Sequence, residues 1–319
     1  MTIRYTGNGA YGYANSLYMA LRESGAAPAE LPEPGFLECL TTMPFGTDYL
    51  RVGRDLLVYF SSPLANPDQG LSTALDVLGW ECREEREGSA EAALARLGEA
   101  AARGPVLAGP LDMGALGYMP QHAQLSGSDH FVVVLGVEGE RVRVHDPDGY
   151  PCVAMPAVEF LRAWRAERVR YAQTPYAMRS GFRQTRRPTR EAMIARTLGA
   201  ARTGLAADPG GPDRYGGPRA FRLLAADLRG AMAKRLVGHL TSFALPLAAR
   251  RSHDAAEFLR EAGHAEAAGL FERKAQCFGE AQYWAVQERW TDTADLMEAL
   301  ADLEGALIHA LEPGASSDG

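Results

Sequence analysis

The sequence predicts an α+β protein: an N-terminal half with an antiparallel sheet, followed by an all-helical bundle. Three observations carry this expectation. Short β-branched runs alternate with helical patterns over residues 1–182. Two of those runs flank Gly139-Glu140, a hairpin signal that makes the sheet antiparallel. From Arg190 onward apolar residues recur only at helical spacing.

The elements follow in order. Gly9-Ala10-Tyr11-Gly12 runs into a helix whose Leu17, Ala20 and Leu21 face a core. A Pro/Ala loop over 26–34 leads to a short helix ending at Pro44-Phe45-Gly46. Residues 56–60 read as a buried strand and 71–78 as a helix. Ser89 caps a helix that stops at Gly104-Pro105. Residues 105–112 form a strand, and a loop after it carries Asp112, Tyr118 and His122. The hairpin strands run from His130 and up to Asp146. A strand over 152–155, a helix over 158–165 and a last strand over 169–172 complete the half. Residues 182–189, rich in Arg, form a linker. The expected domains are therefore 1–182 and 190–313, with a disordered tail over 314–319. Helices are expected over 190–205, 219–237, 239–248, 253–267, 269–290 and 293–311, with Ser252 and Thr291 as caps and Trp284 and Trp290 in the core.

Composition excludes several classes. A net charge of −7 over 319 residues disfavours nonspecific nucleic-acid binding. The start Met1-Thr2-Ile3-Arg4-Tyr5 has no apolar core of a signal peptide, and no run of about 18 apolar residues occurs. Cys39, Cys82, Cys152 and Cys277 show neither zinc spacing nor a disulfide framework. A reduced cytoplasmic protein with no metal, cofactor, membrane or nucleic-acid partner is expected.

The chemistry-bearing residues fall in two stretches. At the loop-to-helix junction, unpaired N–H groups and the helix dipole favour a thiolate or oxyanion. In the hairpin, a carboxylate at Asp146 would fix the tautomer of His130 and stabilise its imidazolium. A His at a strand start and an Asp-Pro after a strand are also common turn features. Asp112, Tyr118 and His122 are expected to line a cleft beside His130, because functional groups collect on such loops.

Gly12-Tyr13-Ala14-Asn15-Ser16 resembles the start of the central helix in papain-like cysteine enzymes, with glycine where those carry the nucleophilic Cys. Tyr13 and Asn15 then become candidate substrate contacts. The order Gly12, His130, Asp146 is similar to the nucleophile–His–Asp order of papain-like and double-glycine-type peptidases. More narrowly, the chain resembles the butirosin biosynthesis protein H family. The resemblance rests on residues 13–16, residues 38–46, the loop from Leu111-Asp112 to Tyr118, and the hairpin from Asp129 to Asp146-Pro147. Arg250-Arg251 and residues 257–263 fit its helical half.

That resemblance implies a papain-like domain joined to a helical domain. It also implies an acyltransferase that moves an aminoacyl group from a carrier-protein thioester to an amine. A Cys would attack, His130 would shuttle the proton and Asp146 would orient it. Gly12 cannot attack. Either a Cys has been exchanged at this position or the natural protein lacks one. Three readings follow: an acyltransferase using a carrier protein or other activated donor and a small amine acceptor, a peptidase-like hydrolase or cyclase, or a non-catalytic binding or scaffold protein. A homodimer is compatible with each.

Overall fold

The structure is a computed structural model, and it describes residues 3–7, 9, 11–26, 31–52, 55–230 and 234–312. The expected tail over 314–319 lies outside these. In chain order, α1 (Gly12–Glu23) and α2 (Pro34–Leu40) precede a hairpin of β1 (Asp48–Val52) and β2 (Asp55–Tyr59). Next come α3 (Pro67–Leu78), β3 (Trp80–Glu85), α4 (Ala90–Arg103) and β4 (Val106–Asp112). Then follow β5 (Asp129–Glu138), β6 (Arg141–Asp146), β7 (Tyr150–Pro156), α5 (Ala157–Trp164) and β8 (Met178–Gln184). The remainder is α6 (Arg190–Ala206), β9 (Arg214–Gly216), α7 (Gly217–Leu228), α8 (Lys234–His239), α9 (Leu245–Glu261), α10 (Ala265–Val286) and α11 (Trp290–Ala310). The fold is α+β with antiparallel sheets and a helical C-terminal region. Among the described residues, no helix is long and apolar enough to cross a membrane.

The chain forms two compact units that do not follow the expected division at 182/190. One comprises Met1–Leu37 with Ala74–Arg187, the other Glu38–Thr73 with Pro188–Gly319.

The first unit is built on a six-stranded antiparallel sheet of order β3-β8-β4-β5-β6-β7. Its central strand β5 alternates faces. Val132 and Val134 pack with Ala93 and Leu97 of α4 and Phe160 and Trp164 of α5. Val133 packs with Ile3 and Met19 of α1 on the other face. Ser89 caps α4 as expected, accepting from the Ala92 N–H at 3.2 Å. The Trp164 indole N–H, which burial obliges to find an acceptor, donates to the Ala177 carbonyl at 2.7 Å. The expected strand over 169–172 is turn structure, and the last strand is β8 instead. There Arg179, 1% exposed, pairs across the strands with Glu84 of β3 at 3.2 Å.

The second unit holds a small antiparallel sheet of order β2-β1-β9 and helices α6 to α11, so it is not wholly helical. Phe60 stacks on Phe221 at 5.5 Å and tilts on Phe278 at 4.6 Å, within a core that includes Leu224, Met297 and Leu300. Trp290 packs partly buried against this core, while Trp284 lies under the Arg289 guanidinium at 4.5 Å. Ser252 lies inside α9 and Thr291 inside α11, so neither caps a helix. α9 instead continues from a π-helical turn, Leu240–Ala244, with proline in its first turn. Among the described residues of this unit, two ion pairs are buried. Arg251 donates to Glu38 at 2.8 Å, and Lys274, 3% exposed, bonds Glu304, 0% exposed. The Lys274 ammonium also sits 4.9 Å from the Phe271 ring centroid.

Removing one partner of such a pair strands a buried charge, whereas replacing both by apolar groups does not. Lys274→Met alone should therefore lower the unfolding free energy by about 3–5 kcal/mol. The double variant Lys274→Met/Glu304→Leu should recover most of that loss. Denaturant titration decides: equal destabilisation by the single and double changes would mean the pair is not a coupled unit.

Candidate active site

The site gathers at the end of β5 and β6. β5 begins at Asp129 and β6 ends at Asp146, and the pairing of Val133 with His145 brings these two strand ends together. His130 Nε2 and Asp146 Oδ1 are 2.8 Å apart, with His130 6% exposed and Asp146 fully buried. Asp146 accepts two further bonds, from the Tyr118 hydroxyl to Oδ2 at 2.6 Å and from the Asp148 N–H to Oδ1 at 2.8 Å. The Tyr5 hydroxyl donates to the Asp146 carbonyl at 3.0 Å and accepts from the Gly149 N–H at 3.0 Å.

Burial alone would raise the Asp146 pKa, but His130 and the donors around the carboxylate outweigh it and hold it low. Burial alone would lower the His130 pKa, and the Asp146 carboxylate reverses that, leaving it raised. Burial also pushes the Asp148 carboxyl and the Tyr118 phenol up. An ionised Asp146 can only accept, so the proton on Nε2 is fixed and the neutral ring keeps its lone pair on Nδ1.

That nitrogen faces α1. A Cβ on Gly12 would lie 3.5 Å from His130 Cε1, 3.6 Å from Nδ1 and 4.0 Å from Pro147 Cγ. These are ordinary contacts, so a side chain fits at position 12 in front of the imidazole. α1 begins there after Tyr11, whose φ of 60° reverses the chain and whose side chain caps nothing. Ser16 Oγ donates to the Phe131 carbonyl at 3.0 Å, pinning α1 to β5 beside the histidine.

Of the expected cleft residues, Tyr118 joins the pair directly. Asp112 does not: its Oδ1 accepts from the Gly114 and Gly127 N–H groups at 2.8 and 2.9 Å and shapes the loop. His122 Nδ1 bonds the Gly114 carbonyl at 2.8 Å in the same loop. Tyr13, 8% exposed, packs edge-on to Phe131, and Asn15 is fully buried within α1's packing. His145 is held structurally, accepting from the Cys152 N–H at 3.0 Å and bonding the Ile3 carbonyl at 2.8 Å. Tyr5 and Asp148 were not singled out from the sequence. The turn-dense Asp146-Pro147-Asp148-Gly149 could have pointed to Asp148, whereas nothing local pointed to Tyr5.

The described residues offer one metal-like cluster, His253, Asp254 and Glu257 in the second unit, with ligand atoms within 4.8 Å of one another. Arg250 already bonds Asp254 Oδ2 there at 2.9 Å, which sets a cation where a metal would go.

Residues 211–312 match the family described as the YobF C-terminal domain. The chain is also 30% identical over 302 residues to the uncharacterized protein YobF of Bacillus subtilis strain 168, covering 94% of this chain and 95% of that protein. The chain belongs to the YobF family. This corrects the resemblance to butirosin biosynthesis protein H. The segments behind that resemblance are short, and local structure accounts for them: a helix start, a hairpin end, and the buried pairing of Glu38 with Arg251.

The two pKa directions fix a pH window. His130, raised on folding, stabilises fully below its unfolded value of about 6.5 and loses this as pH rises through its folded value. Asp146, lowered on folding, stabilises above about 3.9 and loses this as pH falls through its folded value. The stability gap between the protein and Asp146→Asn should be widest from about pH 4 to about pH 6.5 and narrow on the alkaline side. Urea unfolding across pH tests this, and a gap independent of pH would remove the ion pair.

Proposed function

We propose that the first unit is a papain-like domain and that the protein is an acyltransferase or amide-forming enzyme. It moves an acyl or aminoacyl group from a carrier-protein thioester, or a similarly activated donor, to a small amine. The observation that carries this reading is the orientation of His130: Nε2 is locked on buried Asp146 while Nδ1 faces the N-terminus of α1 at Gly12. Without a thiol at position 12 the transfer is direct. His130 Nδ1 takes a proton from the amine as its nitrogen bonds the acyl carbon. The carbon–sulfur bond then breaks, and the proton passes from Nδ1 to the departing thiolate. Asp146 stays ionised and orients the ring, and Tyr118 and the Asp148 N–H hold Asp146. The first-turn N–H groups of α1 favour the negative oxygen that develops at the acyl carbon.

Gly12 itself favours a second reading, a binding protein that retains the fold without turnover. Two measurements separate them. In a screen of acyl thioesters against small amines, His130→Ala should lower transfer by about 10²–10⁴-fold. Gly12→Cys should place a thiol against an imidazolium and a helix N-terminus, so iodoacetamide should label it well below the ordinary thiol pKa of about 8.5. Cys152, which is exposed, is the internal reference. Labelling of residue 12 no faster than Cys152, with no transfer in the screen, would give the binding reading the lead.

A further inference from the structure

We propose that residues 3–7 form a splint that ties α1 to the turn over 146–149 and so positions the His130–Asp146 pair, with Tyr5 as a positioning residue. This goes beyond the acyl-transfer reading and does not depend on it, because the effect is read at the His130 ring itself.

The segment is neither helix nor strand, so side chains of two separate elements hold it in place. On the α1 side, Arg22 donates to the Thr6 hydroxyl at 3.2 Å and to the Arg4 carbonyl, and Glu23 accepts from the Arg4 N–H at 3.2 Å. Ile3 is buried against Met19 of α1 and Val133 of β5. On the β6 side, His145 Nε2 bonds the Ile3 carbonyl at 2.8 Å, and the Tyr5 ring meets the His145 ring edge-on with centroids 5.3 Å apart. The Tyr5 hydroxyl continues into the turn, donating to the Asp146 carbonyl and accepting from the Gly149 N–H, both at 3.0 Å. A Cβ on Gly7 would run into that hydroxyl and into the Pro147 carbonyl. The segment therefore lies against the turn with no room for a side chain at position 7.

The turn matters because it carries a donor to the carboxylate. The Asp148 N–H bonds Asp146 Oδ1, the same oxygen that faces His130 Nε2. One hydroxyl bridges the carbonyl at the start of this turn and the N–H at its end, which fixes Asp148 between them. Tyr5 thus stands outside the pair and acts on it through the turn. Burial pushes the Tyr5 phenol up, so the hydroxyl keeps the proton it donates at neutral pH. Without the bridge, the Gly149 N–H and the Asp146 carbonyl turn to water, and water enters beside the carboxylate. Solvent weakens the attraction between Asp146 and the imidazolium and relieves the burial that opposes the charge, so the ring's pKa moves back toward its ordinary value. In the folded protein burial lowers the His130 pKa, and Asp146 outweighs it with help from Asp148 and Asp129, leaving it raised. Loosening the turn should therefore make it fall.

The test follows the His130 ring in the intact protein by nuclear magnetic resonance, through its pKa and the solvent exchange of its Nε2 proton. Tyr5→Phe keeps the ring and deletes both hydroxyl bonds. The His130 pKa should fall toward about 6.5, and the Nε2 proton should exchange roughly two- to tenfold faster, the scale of one lost hydrogen bond. Arg22→Ala loosens the same segment from the α1 side without touching the turn, and should move both signals in the same direction. Ser89→Ala, which removes the α4 cap and lowers the stability of the same unit, should leave both at their native values. Thermal melting shows that each variant folds. Movement in Tyr5→Phe and Arg22→Ala but not in Ser89→Ala supports the splint. Native His130 signals in either segment variant overturn it, and so does equal movement in Ser89→Ala, which would trace the effect to general loosening of the unit. If Tyr5→Phe does not fold, Arg22→Ala against Ser89→Ala carries the same decision.

Discussion

The first unit depends on one buried carboxylate. Asp146 has no exposure to solvent, and an isolated charge there would cost several kcal/mol. It is retained because the chain supplies partners from separated segments. His130 comes from the neighbouring strand, Tyr118 from the loop after β4, and the Asp148 N–H from the turn that follows. Tyr5, from the chain start, closes the turn by bonding both the Asp146 carbonyl and the Gly149 N–H. Each contact orders a loop, so the site and its surroundings are stabilised together. Remove the carboxylate, and His130 loses its tautomer, Tyr118 its acceptor and the 146–149 turn its internal bond.

The same economy appears in the second unit without any sign of chemistry. Glu38 with Arg251, and Lys274 with Glu304, are equally buried, yet each is closed by a partner charge. Nothing about burial or charge alone distinguishes them from the His130 pair. The difference lies in what is left over. The His130–Asp146 pair ends in a ring nitrogen turned toward Gly12 at the start of α1, whereas the Lys274 ammonium ends against Phe271 and Phe221. A residual, directed valence is the mark of a site, and a saturated pair is the mark of a core.

The sequence made the hairpin, α1, α4 and α5 legible because their signals are local: turn residues at fixed offsets, a capping Ser89, and a 3.6-residue apolar period. The His130–Asp146 geometry followed from the hairpin alone. Four strands escaped notice for a common reason. β3 reads Trp80-Glu81-Cys82-Arg83-Glu84-Glu85 and forms a sheet edge, where charge is tolerated. β8 looks like an Arg-rich linker because Arg179 and Glu84 neutralise each other only once paired across the sheet. β1 and β9 find one another over some 160 residues of chain, and Arg214 bonds Asp48 at 2.7 Å to fix them. Glu38–Thr73 joins the C-terminal part through the same long-range partners. Tyr118 was legible as a loop residue but not as the second donor to Asp146, because that bond depends on a loop shaped by Asp112 and His122.

Similarity to YobF covers 94% of this chain and therefore includes sequence of both units. The charges around His130 are arranged on two sides of the ring. With its pKa raised, His130 is biased toward the imidazolium, and it sits against the positive end of α1. Asp146 compensates the ring through Nε2, but it lies on the far side of the imidazole from Gly12. On the near side the ring edge faces the start of α1, whose first turn carries no acidic residue. Gly12 itself adds no side chain there, and a Cβ at that position would meet the ring at 3.5–3.6 Å.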